Sequence, residues 1–168
     1  MRKAFTLIEL MISILILSIL MIFLYKSYAG LNKANKIFQT ETEKLSKFEL
    51  LKKTLYLDFT LAQKITTNNQ EKTQDLVFLQ TPHSIHNRIN PYVAYIVKDK
   101  KLYRLESLKE LKEYPLGVDS EFVVDTLGEV KIFRVYKSKE ASQNLYLIHI
   151  EFESEDEIIL KVKALNAA

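Results

Sequence analysis

The chain contains no cysteine, and glycine and proline each occur only three times among its 168 residues. The absence of cysteine excludes disulfides, thiolate metal sites and cysteine nucleophiles. Because glycine and proline are scarce, the loops are neither elastic linkers nor low-complexity segments. The chain also lacks a G-x-S-x-G sequence, a P-loop and a glycine-rich phosphate cradle. We therefore expect no catalytic residues and no cofactor.

Charge is likewise nearly balanced, since 24 basic residues face 21 acidic residues and the net charge is +3. This is not the charge distribution of a dedicated nucleic-acid-binding protein. The length suffices for one modest domain plus a tail.

Apolar residues are concentrated in one run, which extends over residues 5–24. Within it only Thr6, Glu9, Ser13 and Ser18 are polar. At 1.5 Å per residue such a helix is about 30 Å long, which is the thickness of the hydrocarbon core of a bilayer. The run predicts a transmembrane helix over 5–24.

Two ordinary explanations of this run are a secretory signal peptide and a generic single-pass anchor. The run is too long for a signal peptide and lacks a small-residue cleavage site at its far end. As an anchor it would keep Arg2 and Lys3 in the cytoplasm and the rest of the chain outside. Neither explanation accounts for Glu9, because a carboxylate costs about 2.5–3.5 kcal/mol at the bilayer centre on insertion scales. Because ionisable residues within membrane segments are usually paired, we expect Glu9 to have a partner group.

The segment Ala4-Phe5-Thr6-Leu7-Ile8-Glu9-Leu10 resembles the processing site of type IV pilins and pseudopilins. The resemblance implies a leader over 1–4, cleavage between Ala4 and Phe5 by a prepilin peptidase, and N-methylation of Phe5. It also places Glu9 at the fifth mature position, where the family carries its glutamate. The family usually has glycine before the cut, and Ala4 is the nearest substitute in size, so we expect cleavage to survive.

The resemblance gives Glu9 a physical role. Filament subunits of this family pack their apolar helices side by side, and the amine of a cleaved Phe5 is a cation in an apolar setting. Pairing of Glu9 with the amine of a neighbouring subunit satisfies both charges at low dielectric. The pair also fixes the axial register between subunits, as a buried polar group does in a coiled coil.

An amphipathic stripe continues after the membrane segment and predicts a helix over 25–66. Its apolar members recur at steps of three, four or seven: Leu31, Ala34, Ile37, Phe38, Leu45, Phe48, Leu51, Leu55, Phe59, Ala62 and Ile65. Poor helix formers and turn residues at Thr66–Asn69 predict its end. The stripe is expected to cover a sheet along its later half.

The remainder, 67–168, is predicted to be a β-rich globular head. Strands are predicted at Leu76–Leu79, Tyr92–Val97, Leu102–Leu105, Phe122–Asp125, Val130–Tyr136, Leu145–Phe152 and Ile158–Val162. Three hairpins are expected, turning at Asp99-Lys100, at Thr126-Leu127-Gly128 and at Ser154-Glu155-Asp156. The segment Ser107–Glu113 is either a short helix or an irregular crossing. The predicted fold class is α+β, with a long N-terminal transmembrane and amphipathic helix packed on an antiparallel sheet.

A second resemblance concerns two later stretches. FELLKKTLYLDFTLAQKI resembles the late helix of J-type minor pseudopilins, with Asp58 followed by Leu61, Ala62 and Gln63. PYVAYIVKDKKLYRLES is similar to the hairpin of that family, in which a tyrosine-rich strand precedes one ending in Leu-Tyr-Arg, here Leu102–Arg104. The resemblance implies a subunit at the tip of a type II secretion pseudopilus. Other minor pseudopilins, a major pseudopilin and inner-membrane lipid would be its partners.

Histidines and acidic residues offer only weak metal sites. His83 and His86 could form a metal pair, but no third ligand has suitable spacing, so a solvated loop is the expected setting. His149 is expected to be a satisfied strand position. Calcium could contact the acidic side chains of Glu153, Glu155, Asp156 and Glu157, but the segment lacks an EF-hand pattern and predicts an exposed turn.

A basic cluster with interleaved tyrosines is a candidate nucleic-acid site. It comprises Lys98, Lys100, Lys101 and Arg104, with Tyr95 and Tyr103. Stacking on nucleic acid requires this combination, but the solvent face of an ordinary hairpin has the same composition. Direct DNA contact is therefore the less favoured interpretation.

Two classes of function remain open from the sequence. The first is a minor pseudopilin that helps to assemble a periplasmic filament for protein secretion or DNA uptake. The second is a minor type IV pilin whose head binds DNA or another ligand. Both place the chain in the bacterial inner membrane, with its N-terminus in the cytoplasm and its head in the periplasm.

Overall fold

The computed structural model describes residues 6–69, 73–111, 114–115, 121–138 and 144–165. In chain order the elements are α1 (Leu7–Thr60), β1 (Lys64–Asn69), β2 (Asp75–Gln80), β3 (Tyr92–Lys98), β4 (Lys101–Ser107), β5 (Phe122–Lys137), β6 (Leu145–Phe152) and β7 (Glu157–Lys163). One long helix followed by an antiparallel sheet confirms the predicted α+β class.

The chain divides into two compact units, 1–48 and 49–168. The described part of the first unit is helical, and its large apolar side chains from Leu7 to Leu24 are each at least 52% exposed. Ser13 and Ser18 donate their hydroxyl hydrogens to the carbonyl oxygens of Glu9 and Ile14, both at 2.8 Å. The helix therefore satisfies these polar groups internally, as a membrane segment must. In the described chain, α1 is the one helix long and apolar enough to cross a membrane.

The second unit has its core where the end of α1 meets the sheet. Leu55 and Phe59 are fully buried. The Phe59 ring centroid lies 6.1 Å from that of Tyr95 on β3 and 6.2 Å from that of Tyr146 on β6. These aromatic contacts hold the last turns of the helix against both parts of the sheet.

The sheet contains seven strands in the order β1-β2-β3-β4-β5-β6-β7, and every neighbouring pair is antiparallel. The long strand β5 pairs with β4 through its first half and with β6 through its second half. A parallel bridge joins Gln74 to Phe133, and the Val135 N–H donates to Asp75 Oδ2 at 2.8 Å. These contacts bring the start of β2 against the second half of β5, so the sheet is curled.

The predicted hairpin at Thr126-Leu127-Gly128 is wrong, because Phe122–Lys137 forms one continuous bent strand. Pairing shifts register between Leu102 and Tyr103, opposite Gly128. Gly128 has φ of 140°, a conformation that favours glycine, and an added Cβ would lie 3.2 Å from the Phe152 ring. The glycine and the bulge therefore bend the strand from one partner to the next instead of reversing the chain.

The predicted end of the helix is also wrong, because α1 ends at Thr60 and the residues from Ile65 to Asn69 lie in β1. The Gln63 N–H already donates to the Gln80 carbonyl at 2.7 Å, and Ile65 pairs with Leu79. Pairing with β2 thus overrides the apolar helical spacing that ended at Ile65.

The other two hairpins are confirmed. The β3–β4 turn places Asp99 and Lys100 in the left-handed region, with φ of 49° and 62°, as a tight two-residue hairpin requires. The β6–β7 turn includes Glu155 with φ of 66°.

The outer face of the sheet carries a second apolar cluster, formed by Leu76, Phe78, Ala94, Ile96, Leu105 and Leu111. Leu111 and the adjoining Tyr114 belong to the connection after β4, which covers part of this face. Of the segment predicted as a helix or a crossing, Ser107 ends β4 and residues 108–111 are non-helical, while 112–113 lie outside the described residues.

Candidate functional site

The first turn of α1 closes on itself through Thr6 and Glu9. The Thr6 N–H and hydroxyl both donate to Glu9 Oε2, at 2.9 Å and 2.8 Å. In return the Glu9 N–H donates to Thr6 Oγ1 at 3.4 Å. This reciprocal pattern is a capping box, and Thr6-Leu7-Ile8-Glu9 has the spacing that it needs. The Glu9 carboxylate therefore sits at the positive end of the helix dipole, exposed on the surface of the chain.

Of the residues predicted for processing and assembly, only Glu9 is placed by the structure. Ala4 and Phe5, at the predicted cleavage and methylation site, lie outside the described residues.

The second unit contains a buried ionic cluster centred on Arg104 of β4. Its guanidinium donates to Asp58 of α1 through Nε–Oδ2 at 2.8 Å and Nη2–Oδ1 at 3.2 Å. A further bond joins Arg104 Nη1 to Glu106 Oε2 at 2.6 Å. All three residues are 0% exposed. The two-pronged contact with Asp58 uses the fork geometry that only arginine offers.

Protonation in this cluster follows from its charges. Burial alone would lower the pKa of Arg104, but the hydrogen bond and charge of Asp58, with a further hydrogen bond to Glu106, raise this pKa above its usual value. Burial, and then the charge of Asp58, raises the pKa of Tyr95 well above its ordinary value. Tyr95 is therefore a neutral phenol, and it donates its hydroxyl hydrogen to Asp58 Oδ2 at 2.6 Å.

The connection between β2 and β3, residues 81–91, is fastened to the same cluster; we call it the 81–91 loop. His83 Nδ1 lies 2.6 Å from Asp58 Oδ1, and His86 Nε2 lies 2.9 Å from Asp125 Oδ2. Between these histidines, the Ser84 hydroxyl donates to Glu106 Oε1 at 2.5 Å and the Ile85 N–H donates to Glu106 Oε2 at 3.1 Å. Three carboxylates thus hold one loop to the sheet and the helix.

Glu106 is stabilised in its charged form by these donors. Burial alone would raise its pKa, but hydrogen bonds from Ser84, Arg104 and the Ile85 N–H, together with the charge of Arg104, lower it below its ordinary value. Across the described residues, no group of three or more His, Asp or Glu side chains could hold a metal ion. The arrangement is suited to fixing structure, because its hydrogen bonds join α1, β3, β4 and the 81–91 loop.

The predicted basic cluster is not a single surface. Arg104 and Tyr95 are buried on the side of the sheet that faces α1. Near the β3–β4 turn, Lys100 lies 3.6 Å from Glu153 and Lys101 lies 3.7 Å from Glu129. Burial of the arginine removes the combination of stacking and charge on which the nucleic-acid interpretation depended.

Of the expectations for the histidines and the acidic segment, one is wrong and two are confirmed. The solvated-loop prediction for His83 and His86 is wrong, because both rings are largely covered and contact aspartates. His149 is a satisfied strand position, with Nε2 2.8 Å from Glu157 Oε1. The acidic segment forms an exposed turn, where the Ser154 hydroxyl donates to Asp156 Oδ2 at 2.8 Å.

The role of Asp58 with Arg104 was not found from sequence. A signal was present in each element, because Asp58 lies on the apolar stripe of the helix and Arg104 lies between apolar strand residues. A charge on a buried face requires a partner of opposite sign.

The family model described as the prokaryotic N-terminal methylation motif matches residues 1–25. No curated protein and no solved structure matches the chain. The match supports the type IV pilin and pseudopilin superfamily. It does not confirm the J-type resemblance, because it ends before both stretches that carry that resemblance.

Proposed function

We propose that this chain is a minor pseudopilin, a structural and assembly subunit at the tip of a periplasmic pseudopilus in a type II secretion-like machine. The observation that carries the general, pilin-like part of this proposal is the methylation motif over residues 1–25, which includes the apolar start of a helix long enough to span a membrane. The tip position and the secretion machine rest on the sequence resemblance described above.

Processing is the first step of the proposal. A prepilin peptidase cleaves between Ala4 and Phe5, and Phe5 is then N-methylated. The chain remains in the inner membrane as a single-pass protein, with residues after the apolar run in the periplasm. The motif and the helix are consistent with such a membrane-anchored pilin.

Assembly is the second step, and Glu9 is its central residue. In the single chain the carboxylate is held by its own Thr6, and both donors of Thr6 go to the same oxygen, Oε2. The carboxylate is exposed at the helix start, so the amine of a neighbouring subunit can approach it there. The capping box then orients Glu9 for this intermolecular pair, which sets the register between subunits.

The apolar side chains after the membrane run support lateral assembly. Leu31, Ile37 and Phe38 are 62%, 55% and 72% exposed. They belong to the unit 1–48, whose described residues are all helix apart from Thr6 at its start. Neighbouring helices of other pseudopilins would cover these side chains in a filament tip.

Mass spectrometry of the membrane-extracted protein tests the processing step. We expect a mature chain that begins at Phe5 and carries one methyl group on its N-terminus. An intact Met1 terminus in cells with an active prepilin peptidase would contradict the pilin-like function. Co-purification of the full chain with each pseudopilin of its gene cluster then tests the tip role, and long homopolymers of this chain alone would point to a major subunit.

A further inference from the structure

The part of α1 that follows the apolar run carries positive charges and no negative ones. Residues 10–40 contain no aspartate or glutamate, and their three basic residues are Lys26, Lys33 and Lys36, all exposed. Ion pairs along a helix join residues that are three or four positions apart. No acid lies at that spacing from any of the three lysines, so the helix itself leaves their charges uncompensated.

This excess of positive charge is confined to the part of the helix next to the apolar run. In residues 41–53, which follow, four lysines accompany three glutamates, and one of these pairs joins Lys52 to Glu49 at 3.2 Å. Cleavage before Phe5 would remove Arg2 and Lys3, and would leave 22 basic and 21 acidic residues in the mature chain. A mature chain of net charge +1 would therefore carry +3 within residues 25–40.

The three lysines lie on one side of α1, and we call them the lysine stripe. At 3.6 residues per turn, Lys33 lies about 20° and Lys36 about 80° from Lys26 around the helix axis. The apolar Leu31 and Phe38 lie about 140° and 120° from Lys26 on the same count. A partner of the lysine stripe would therefore leave these apolar side chains accessible to neighbouring helices.

The lysine stripe begins at the level of the lipid headgroups. For a helix along the bilayer normal, Lys26 and Lys33 lie about 3 Å and 14 Å beyond Leu24, the end of the apolar run. The headgroup layer extends roughly 5–8 Å beyond the hydrocarbon core. Because helical side chains lean toward the N-terminus of their helix, the ammonium group of Lys33 is directed back toward this layer. Lys36 is one turn further out, where its charge still acts across a Debye length of about 8–10 Å.

Two tyrosines mark the same level on the helix. Tyr25 and Tyr28 follow the apolar run and are 75% and 65% exposed. Tyrosine is enriched where a membrane helix meets the headgroups, because its ring is apolar and its hydroxyl is polar. These side chains fix the height of α1 in the bilayer, and thereby hold Lys26 and Lys33 beside the headgroups.

We propose that the lysine stripe binds the phosphates of anionic phospholipids in the leaflet where α1 leaves the bilayer. Lys26 and Lys33 contact the phosphates, and Lys36 adds to the local positive potential. The inference rests on the membrane-anchored part of the proposed function, and it names the class of lipid. A subunit that moves from the bilayer into a filament has to break these contacts, so the stripe favours the membrane-bound subunit.

Fluorescence quenching in vesicles tests the lipid class. The chain has no tryptophan, so Phe23→Trp introduces a single fluorophore one turn before Lys26. The full chain with this change is placed in phosphatidylcholine vesicles that contain either brominated phosphatidylglycerol or, as the neutral reference, brominated phosphatidylcholine. We expect a several-fold preference for phosphatidylglycerol beside the helix, and loss of this preference in 1 M salt, where the Debye length is about 3 Å. Equal quenching by the two lipids would overturn the proposal.

Charge removal at two heights on the helix tests the residues. Lys26→Gln combined with Lys33→Gln should abolish the preference, whereas arginine at both positions should retain it. Lys47→Gln combined with Lys53→Gln is the matched control, because it removes the same charge from α1 at more than about 30 Å beyond Leu24. A preference that survives the first change, or an equal loss in the control, would overturn the role of the stripe.

Two other partners of the lysine stripe give different results. Replacement of chloride by inorganic phosphate at constant ionic strength should leave the preference unchanged, and its loss would indicate a site for soluble anions instead of lipid. Co-purification with other pseudopilins in neutral detergent should also be unchanged by Lys26→Gln with Lys33→Gln. A several-fold fall would assign the stripe to an acidic partner helix and overturn the lipid assignment.

N-terminal mass spectrometry of the same preparation separates this inference from the proposed function. A mature chain that begins at Phe5 but shows no lipid preference would refute the lipid inference alone. An intact Met1 terminus from cells with an active prepilin peptidase, together with a lipid preference, would refute the pilin-like function alone.

Discussion

Asp58 and Arg104 are 46 residues apart in the sequence and form a fully buried two-pronged ion pair between α1 and β4. Each group is a buried charge, and the other is its partner of opposite sign across the helix and the sheet. Tyr95, His83 and Glu106 then complete the hydrogen bonding around the pair. The end of the helix is thereby fixed to one position on the sheet, more specifically than apolar packing alone would fix it.

Removal of one partner of this pair should be strongly destabilising. We expect Asp58→Leu or Arg104→Met to lower the free energy of unfolding of the 49–168 unit by about 3–5 kcal/mol, because either change leaves buried charged and polar groups of the cluster without their partner. The combined Asp58→Leu and Arg104→Met variant should lose less than the sum of the two single effects. Urea unfolding of the full chain in detergent, followed by circular dichroism, measures this, and additive losses would show that the residues do not act as a pair.

Glu106 should make the stability depend on acidity. Its folded-state pKa lies below the ordinary value of 4.5, so its contribution is present above pH 4.5 and is lost as the pH falls through the folded pKa. We expect Glu106→Gln to flatten the fall in the free energy of unfolding as the pH is lowered below 4.5. Glu129→Gln is the control, since Glu129 is exposed, and the same flattening in that variant would remove Glu106 from the explanation.

Gly128 should be required for the bend in β5. With φ of 140° and the Phe152 ring 3.2 Å from a Cβ built there, an alanine is strained both in its backbone and in its contacts. We expect Gly128→Ala to destabilise the 49–168 unit by roughly 1–3 kcal/mol. Gly30→Ala is the matched control, because nothing lies within 4 Å of that position, and it should leave the unfolding of this unit unchanged. Equal midpoints for the two variants in urea unfolding would contradict the assigned role.

The long apolar run, the α+β class and two of the three hairpins could be predicted because each depends on local pattern. Periodicity and turn residues report which face a segment buries, and that information is contained in a short window. The bend at Gly128 could not be predicted this way, because Gly in a short polar stretch fits a turn and a bulge equally well. Only pairing with β4 on one side and β6 on the other distinguishes them.

The absence of long-range contacts from a short window of sequence also explains why the end of α1 and the ionic cluster were not predicted. Ile65 continues the helical spacing, but its pairing with Leu79 depends on a strand further along the chain. Arg104, with lysines and tyrosines nearby, has the pattern of an exposed basic surface until Asp58 is brought against it by folding. Contacts between distant segments therefore decided each of these cases, and a single sequence contains no direct measure of them.

The last prediction separates two roles of Glu9: capping of α1, which the structure shows, and pairing with a neighbouring subunit, which we propose. If Glu9 acts only by capping α1, Thr6→Val should impair assembly as much as Glu9→Ala does, because it removes the hydroxyl from the capping box. If Glu9 pairs with a neighbouring amine, Thr6→Val should retain most assembly, while Glu9→Ala loses it. We expect the second result, together with normal cleavage and membrane insertion of both variants, since removing a carboxylate from an apolar segment lowers the insertion cost. Cross-linking of the subunits in membranes measures assembly, and N-terminal mass spectrometry measures cleavage. Full assembly of Glu9→Ala would show that the carboxylate does not set the register, and equal losses in both variants would assign Glu9 to the capping box alone.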